Sequence, residues 1–264
     1  MQQEIDKFWA FCKERESIRL KKEAGELQPW TIDPILQKHK FTNINRIHDR
    51  GTKLLIKLCK YHSSYNKFCA SSIYRFSGSN NKTIEMMQNN QPIYWFDLLK
   101  SVKPLFNMQA YQANWPAGKG KGIHFMINVL SRYCNSTFPN LKSQMTIKEA
   151  CNIMVAPLTK FGYKTMRFQC TEIAKDLSIF TDLVKPKSIC PMNIGALKGL
   201  KAIFNTTSQK NLIYLINSIQ NPDYNTQILE HALCEYSKYH DYHTGIRKPH
   251  QKVYKPYKIC YNIQ

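Results

Sequence analysis

Apolar residues in this chain recur at helical rather than strand spacing, and that periodicity restricts the fold before any motif is considered. Ile5, Phe8, Trp9 and Cys12 fall at i, i+3, i+4 and i+7, one face of an opening helix. Leu54, Leu55, Leu58 and Cys59 repeat the pattern after Thr52, and Ile123, Met126, Ile127, Leu130 and Cys134 form another stripe. Thr146 with Glu149 reads as a capping box opening a helix that runs through Met154. Leu212, Leu215, Ile216 and Ile219 mark a helix ended by Asn221-Pro222, and Leu229, Ala232, Leu233 and Tyr236 mark the last one. Loops are expected at 77–81, 89–92 and 115–122, the last flexible and basic. The predicted class is all-α: one compact helical domain over 1–244, followed by a basic, irregular tail over 245–264 packed on it.

Charge says what such a body meets. Lysine and arginine outnumber aspartate and glutamate 38 to 18, a net charge of +20, so polyanions are the expected partners. Aromatic residues are interleaved with the basic ones, as in Tyr61, Tyr65, Phe68, Tyr74 and Arg75, a mixture suited to stacking on bases beside neutralised phosphates. Nine cysteines without a CxxC pair argue against a disulfide framework or a zinc ribbon and for reduced thiols. No apolar run follows Met1, so neither a signal peptide nor a membrane span is expected, and the protein reads as soluble and intracellular. No cofactor or metal is implied.

Four stretches could carry chemistry. Between residues 15 and 52, Arg15, Trp30, Asp33, Asn43, Arg46, Asp49 and Arg50 cluster around one tryptophan, too densely for a merely solvated surface. In LEHALCEYSKY, residues 229–239, His231, Glu235 and Tyr239 share a helix face, with Glu230, Cys234 and Lys238 nearby. That face could supply a general acid and base, or be an exposed Glu-Lys surface; a metal site from His231 and Cys234 lacks a second ligand pair at matching spacing. In LTKFGYKTMRFQC, residues 158–170, Gly162 before Lys164-Thr165 looks like half of a helix-hairpin-helix, with Lys160 where a first glycine is usual; Asp176 and Asp182 follow. In ICPMNIGALKGL, residues 189–200, Asn193, Gly195 and Gly199 open a helix near Lys198, which fits either an anion site or close helix packing. GKGKG at 118–122 is not a P-loop, because GxxxxGK[ST] is absent.

In this order the stretches resemble the alpha-glutamyl/putrescinyl thymine pyrophosphorylase family, also described as the helical domain accompanying hydroxymethyluracil DNA kinases. The N-terminal pattern is matched by Phe11, Glu14, Arg15, Gly25, Pro29, Trp30, Thr31, Asp33, Leu36, Phe41, Asn43, Arg46, Asp49 and Thr52. The C-terminal signature is matched by Glu230, Leu233, Cys234, Glu235, Lys238 and Tyr239. Ala110-Tyr111-Gln112, Phe161-Gly162, Asp176-Leu177 and Gly195-Ala196 with Gly199-Leu200 look like the middle blocks, so the resemblance spans nearly the whole chain.

The resemblance implies a fold like that of helix-hairpin-helix DNA glycosylases and action on a modified pyrimidine flipped out of DNA. The implied reaction is displacement of pyrophosphate from hydroxymethyluracil, with a separate kinase acting in trans, or excision of the base. Its implied base pocket comprises Trp30, Asp33, Asn43, Tyr111, Gln112 and Tyr239. Arg15, Arg46, Arg50, Lys164, Lys198 and Lys238 would hold phosphate or DNA, and Asp49, Asp176, Glu230 and Glu235 are the catalytic candidates. The chain departs from the pattern at Ile47, where the family has an acidic residue, and at Asn193, where it has glycine. Those departures leave open a non-catalytic nucleic-acid-binding module, and the charge leaves open a ribonucleoprotein component.

Overall fold

The structure, a computed structural model, describes residues 1–107, 119–163, 166–186, 188–218 and 224–247. All regular structure among them is helical, as expected, with a single isolated parallel bridge between Met145 and Val184. The α-helices are α1 (Gln2–Glu23), α2 (Pro34–Lys38), α3 (Arg50–Cys59), α4 (Ser64–Phe76), α5 (Asn81–Gln88), α6 (Trp95–Leu98), α7 (Lys119–His124), α8 (Leu130–Thr137), α9 (Ile147–Lys160), α10 (Arg167–Phe180), α11 (Ile194–Phe204), α12 (Gln209–Asn217) and α13 (Thr226–His243). A π-helical segment, Phe125–Val129, joins α7 to α8. The expected loop at 115–122 is therefore corrected in its second half, since α7 begins at Lys119. The buried residues that follow, Phe125, Met126 and Leu130, anchor that helix and carry it back through the glycines. Residues 115–118, Ile219, Asn221-Pro222 and the tail from 248 onward lie outside the described residues.

The chain forms two compact units: residues 1–46 with 192–264, and residues 47–191. In the first, α1 buries Ile5, Phe8, Phe11, Cys12, Arg15 and Ile18, a stripe of three- and four-residue steps that includes one arginine. Phe11 packs edge-on against Phe41 and Tyr236, at 6.0 and 5.5 Å between ring centroids. Gly25, at φ +77°, ends α1: the N–H of Glu26 reaches back to the Lys21 carbonyl at 3.0 Å and that of Gly25 to Lys22 at 3.2 Å. Glycine is needed there because the left-handed conformation costs other residues a Cβ clash. Helix α11 lies on α13 so closely that a Cβ on Gly199 would stand 2.1 Å from the Leu233 carbonyl oxygen, and one on Gly195 would stand 2.4 Å from Cys234 Sγ. Of the two readings of this glycine pair, the geometry favours close helix packing.

In the second unit, α10 is buried on every side from Gln169 to Ser178 and is the helix around which α3, α4 and α9 pack. Four of its neighbours or residues are charged and buried. Arg75 of α4 holds Asp176 through two parallel bonds, Nε to Oδ2 at 2.7 Å and Nη2 to Oδ1 at 2.6 Å, and donates Nη1 to Ser79 Oγ at 3.0 Å. Lys175, fully buried, donates to Glu172 Oε1 at 3.0 Å. The capping box of α9 forms as expected: Thr146 Oγ1 accepts from the Glu149 N–H and Glu149 accepts from the Thr146 N–H. Gly162, at φ +83°, closes the same helix in the manner of Gly25, with Tyr163 N–H bonded to the Leu158 carbonyl at 2.8 Å.

The Arg75–Asp176 pair generates a prediction about stability. Asp176→Leu leaves a buried guanidinium without its carboxylate and is expected to cost about 3–5 kcal/mol, whereas Arg75→Met combined with Asp176→Leu restores most of that loss. Urea denaturation of the two variants compares them; a double variant as unstable as the single one contradicts the packing role.

Candidate functional site

Within the first unit, α1, the 24–41 segment and α2 enclose a cleft of about 250 Å³. Arg15, Lys22, Trp30, His39, Lys40 and Phe41 are among its lining residues. Its wall at Phe41-Thr42 is fixed from two sides. From α1, Arg15 Nη2 donates to the carbonyls of Phe41 at 3.1 Å and Thr42 at 3.2 Å. From α13, Glu235 Oε2 accepts the Thr42 N–H at 3.0 Å, and His231 Nε2 shares a 2.8 Å hydrogen bond with Thr42 Oγ1. A one-turn helix, α2, forms the next part of the wall. Asp33 caps it, its Oδ1 accepting from Ile35 N–H at 2.8 Å and Leu36 N–H at 3.0 Å, and Pro34 occupies its first position. The other Asp33 oxygen accepts the Tyr239 hydroxyl at 2.7 Å, which ties α2 to α13.

The cleft is cationic and aromatic. Lys22 Nζ stands 4.9 Å from the centroid of the Trp30 ring, and the Arg15 guanidinium stands 5.6 Å from that of Phe41. Although Lys22 is solvent-accessible at the mouth, its ammonium is pushed below the ordinary lysine pKa, first by partial desolvation and then by the charges of Arg15 and Lys40. A group in that condition gains when an anion arrives, because the anion both neutralises the repulsion and replaces lost hydration. His39 stacks on Tyr242 at 3.7 Å between centroids, and Trp30 Nε1 is satisfied by the Glu26 carbonyl at 2.7 Å. No acidic side chain lines the cleft among the described residues.

The sequence candidates distribute as follows. Arg15, Trp30 and Asp33 meet at the cleft and its wall, with Glu235 and Tyr239 behind it. Asn43 is half-buried and Arg46 buried in the same unit. Asp49, at the N-cap position of α3, and the exposed Arg50 belong to the other unit, as does Asp176. Glu230 is buried, accepting from Asn193 Nδ2 at 3.0 Å where α11 begins, and Lys238 pairs with Glu235. Lys198 is exposed on α11. Tyr111, Gln112 and Lys164 lie outside the described residues. The 229–239 face is thus not the solvated Glu-Lys surface that its composition allowed, since Glu230, His231 and Glu235 are all buried.

Sequence reasoning missed Lys22 and Lys40. Their signal was available: Lys22 stands one α-helical step beyond Ile18 at the end of α1, and Lys40 directly precedes the motif residue Phe41.

The described cysteines are all free, and all but Cys234 are buried. Burial pushes the Cys59 thiol up to about 12 and that of Cys12 further, so neither is a nucleophile at neutral pH. No group of metal-ligating side chains and no helix long and apolar enough to cross a membrane occurs among the described residues.

Comparison with known proteins bears on this geometry. The protein family described as the helical domain of 5-hmdU DNA kinase matches residues 2–248 of the chain. A similar protein, the 5-hmdU DNA kinase of Bacillus phage SP10, is 23% identical over 281 residues, covering 84% of this chain and 42% of the phage protein. The chain therefore spans about two-fifths of that relative's length. No solved structure matches the chain.

The clamp on Thr42 predicts a pH dependence. Burial raises the Glu235 pKa, but the Lys238 ammonium, the His231 ring and the bonds from Lys238 and the Thr42 N–H outweigh it, so the carboxyl is held below its ordinary value of 4.5. A carboxyl depressed on folding adds stability that is fully present above the unfolded value and is lost as pH falls through the folded one. Thermal unfolding of Glu235→Gln is therefore expected to show a lower midpoint than the wild type at neutral pH, with the gap closing under acid. A gap independent of pH contradicts the ionised clamp.

Proposed function

The chain belongs to the family of the helical domain of 5-hmdU DNA kinase, and from that premise we propose that it acts on DNA carrying hydroxymethyluracil, with the cleft of the first unit receiving the extrahelical base. The observation that carries this reading is that Arg15, Lys22, Lys40 and Trp30 line one cleft of about 250 Å³, with the Lys22 ammonium 4.9 Å from the Trp30 ring. The half-buried indole offers a stacking face, and base–aromatic stacking is worth about 1–3 kcal/mol per base. The three cations suit a phosphoryl or pyrophosphoryl group on the base's 5-hydroxymethyl substituent.

Two roles for that cluster follow from its chemistry. In displacement, an amine forms a C–N bond at the methylene carbon, the C–O bond breaks, and pyrophosphate leaves with the electron pair. Cations placed where that charge develops lower the barrier. The pyrophosphorylated base is supplied by a kinase activity, carried in trans or in another segment, since no P-loop sequence occurs in these 264 residues. Excision has less support, because it calls for a carboxylate beside the sugar and none lines the cleft among the described residues. That same lack of an acidic residue favours, as a second reading, a module that holds the modified base for another protein's chemistry.

Nucleoside mass spectrometry separates these outcomes when the protein is incubated with duplexes bearing thymine, hydroxymethyluracil or its pyrophosphate, with and without amines. A new base adduct with pyrophosphate release establishes displacement, and a free base establishes excision. No change, with selective binding of the modified duplex, leaves the holding role; no binding at all overturns the proposal.

The cations also predict a mutational signature. Lys22→Met and Lys40→Met are each expected to weaken binding of a pyrophosphorylated-base duplex about five- to tenfold and to lower the salt slope by about one. The lysine stems are replaced by a side chain of similar bulk, so fold stability is expected to hold. Fluorescence anisotropy across a salt series measures both; an unchanged slope contradicts a role for these ammonium groups.

A further inference from the structure

Leu27 and Ile32 are 92% and 96% exposed, more than any other large apolar side chain among the described residues. Single exposed aliphatics are ordinary on protein surfaces. These two are distinguished by where and how they are held. They flank Gln28, Pro29, Trp30 and Thr31, the four residues that form one lip of the cleft. The lip is braced at each turn: Lys21 Nζ donates to the Trp30 carbonyl at 3.0 Å, Trp30 Nε1 to the Glu26 carbonyl at 2.7 Å, and Gln37 Nε2 to the Thr31 carbonyl at 2.7 Å. The Asp33 N–H bonds Thr31 Oγ1 at 3.1 Å, and the Gly25 turn fixes the other end. The segment thus holds two aliphatic side chains in water on a supported backbone, at the two ends of a lip whose cleft Lys22 and Lys40 also line.

We propose that Leu27 and Ile32 are wedge residues that enter the base stack of duplex DNA and hold open the gap left as the target base moves into the cleft. The inference rests on the function proposed above. Stacked bases fit this surface better than a protein partner does. Two separate side chains flanking a cationic cleft are not the contiguous apolar patch that a stable protein interface of about 1,000 Å² or more requires. They do match the way apolar side chains are inserted between base steps once phosphates have been neutralised nearby. The physical exchange is loss of base stacking against burial of aliphatic surface that is otherwise fully hydrated.

The test uses a duplex with 2-aminopurine stacked next to a hydroxymethyluracil, whose fluorescence rises when stacking is lost, with anisotropy read in parallel on the same samples. The wild-type protein is expected to bind and to raise the fluorescence. Leu27→Ala combined with Ile32→Ala is expected to keep salt-dependent binding while losing at least about fivefold of that rise, because unstacking by an inserted side chain needs its bulk. Ile32→Met, which retains bulk, is expected to preserve it. Both positions are exposed, so the variants fold as the wild type does, checked by their melting temperature. An equal rise in the double variant, or loss of all its DNA binding, overturns the wedge and leaves the proposed function standing. Absence of DNA binding by the wild type overturns both.

Discussion

The segment at Phe41-Thr42 is the constraint on which the candidate site depends. It is irregular backbone lying between two helices of the same unit, and its polar groups would be costly to bury unsatisfied. Arg15 takes its carbonyls from α1, and Glu235 and His231 take its N–H and hydroxyl from α13. Bonds to charged groups contribute about 1.5–3 kcal/mol each, against several for desolvating each ion, so such a clamp holds only when its members are all present. Arg15, 26 positions before Phe41, and Glu235, 193 positions after Thr42, are thereby fixed in one place.

That clamp has a consequence for charge. Arg15 donates to the Phe41 and Thr42 carbonyl oxygens and also lines the cleft. Lys22 and Lys40 line it too, with no carboxylate in the lining among the described residues, and the pKa of Lys22 is lowered first by partial desolvation and then by the charges of Arg15 and Lys40. Asp33, the nearest acidic residue in sequence to Trp30, is consumed by the α2 cap and the Tyr239 hydroxyl. The unit therefore presents a positive, half-aromatic recess, the feature on which the proposed binding of a phosphate-bearing pyrimidine rests.

Much of the fold was legible because buried helix faces leave a period in the sequence. The stripe on α1, the Thr146–Glu149 box and the apolar face of α13 were each visible in the spacing of a few residues. What local pattern could not give was burial of polar groups by distant partners. Glu230, His231 and Glu235 look like a solvated face until Thr42 and Asn193 are brought to them. Asp176 reads as an acidic residue downstream of a turn, yet its partner Arg75 lies 101 residues away. Gly195 and Gly199 allowed an anion site or a packing seam, and the closeness of the Leu233 carbonyl, which would stand 2.1 Å from any Cβ on Gly199, decided between them. Lys22 and Lys40 escaped notice because a lysine near a helix end is usually solvated, and their meeting with Trp30 in the lining of one cleft exists only in three dimensions.

The most direct test of the central claim is photocrosslinking of the protein to duplex DNA in which 5-iodouracil replaces the hydroxymethyluracil, with the crosslinked peptide identified by mass spectrometry. The iodine occupies the ring position that carries the hydroxymethyl group, so the crosslink reports which side chain that edge of the base meets. The account predicts attachment within residues 22–41, centred on Trp30. Attachment confined to residues 47–191 would contradict it and move the base site out of the unit that contains this cleft.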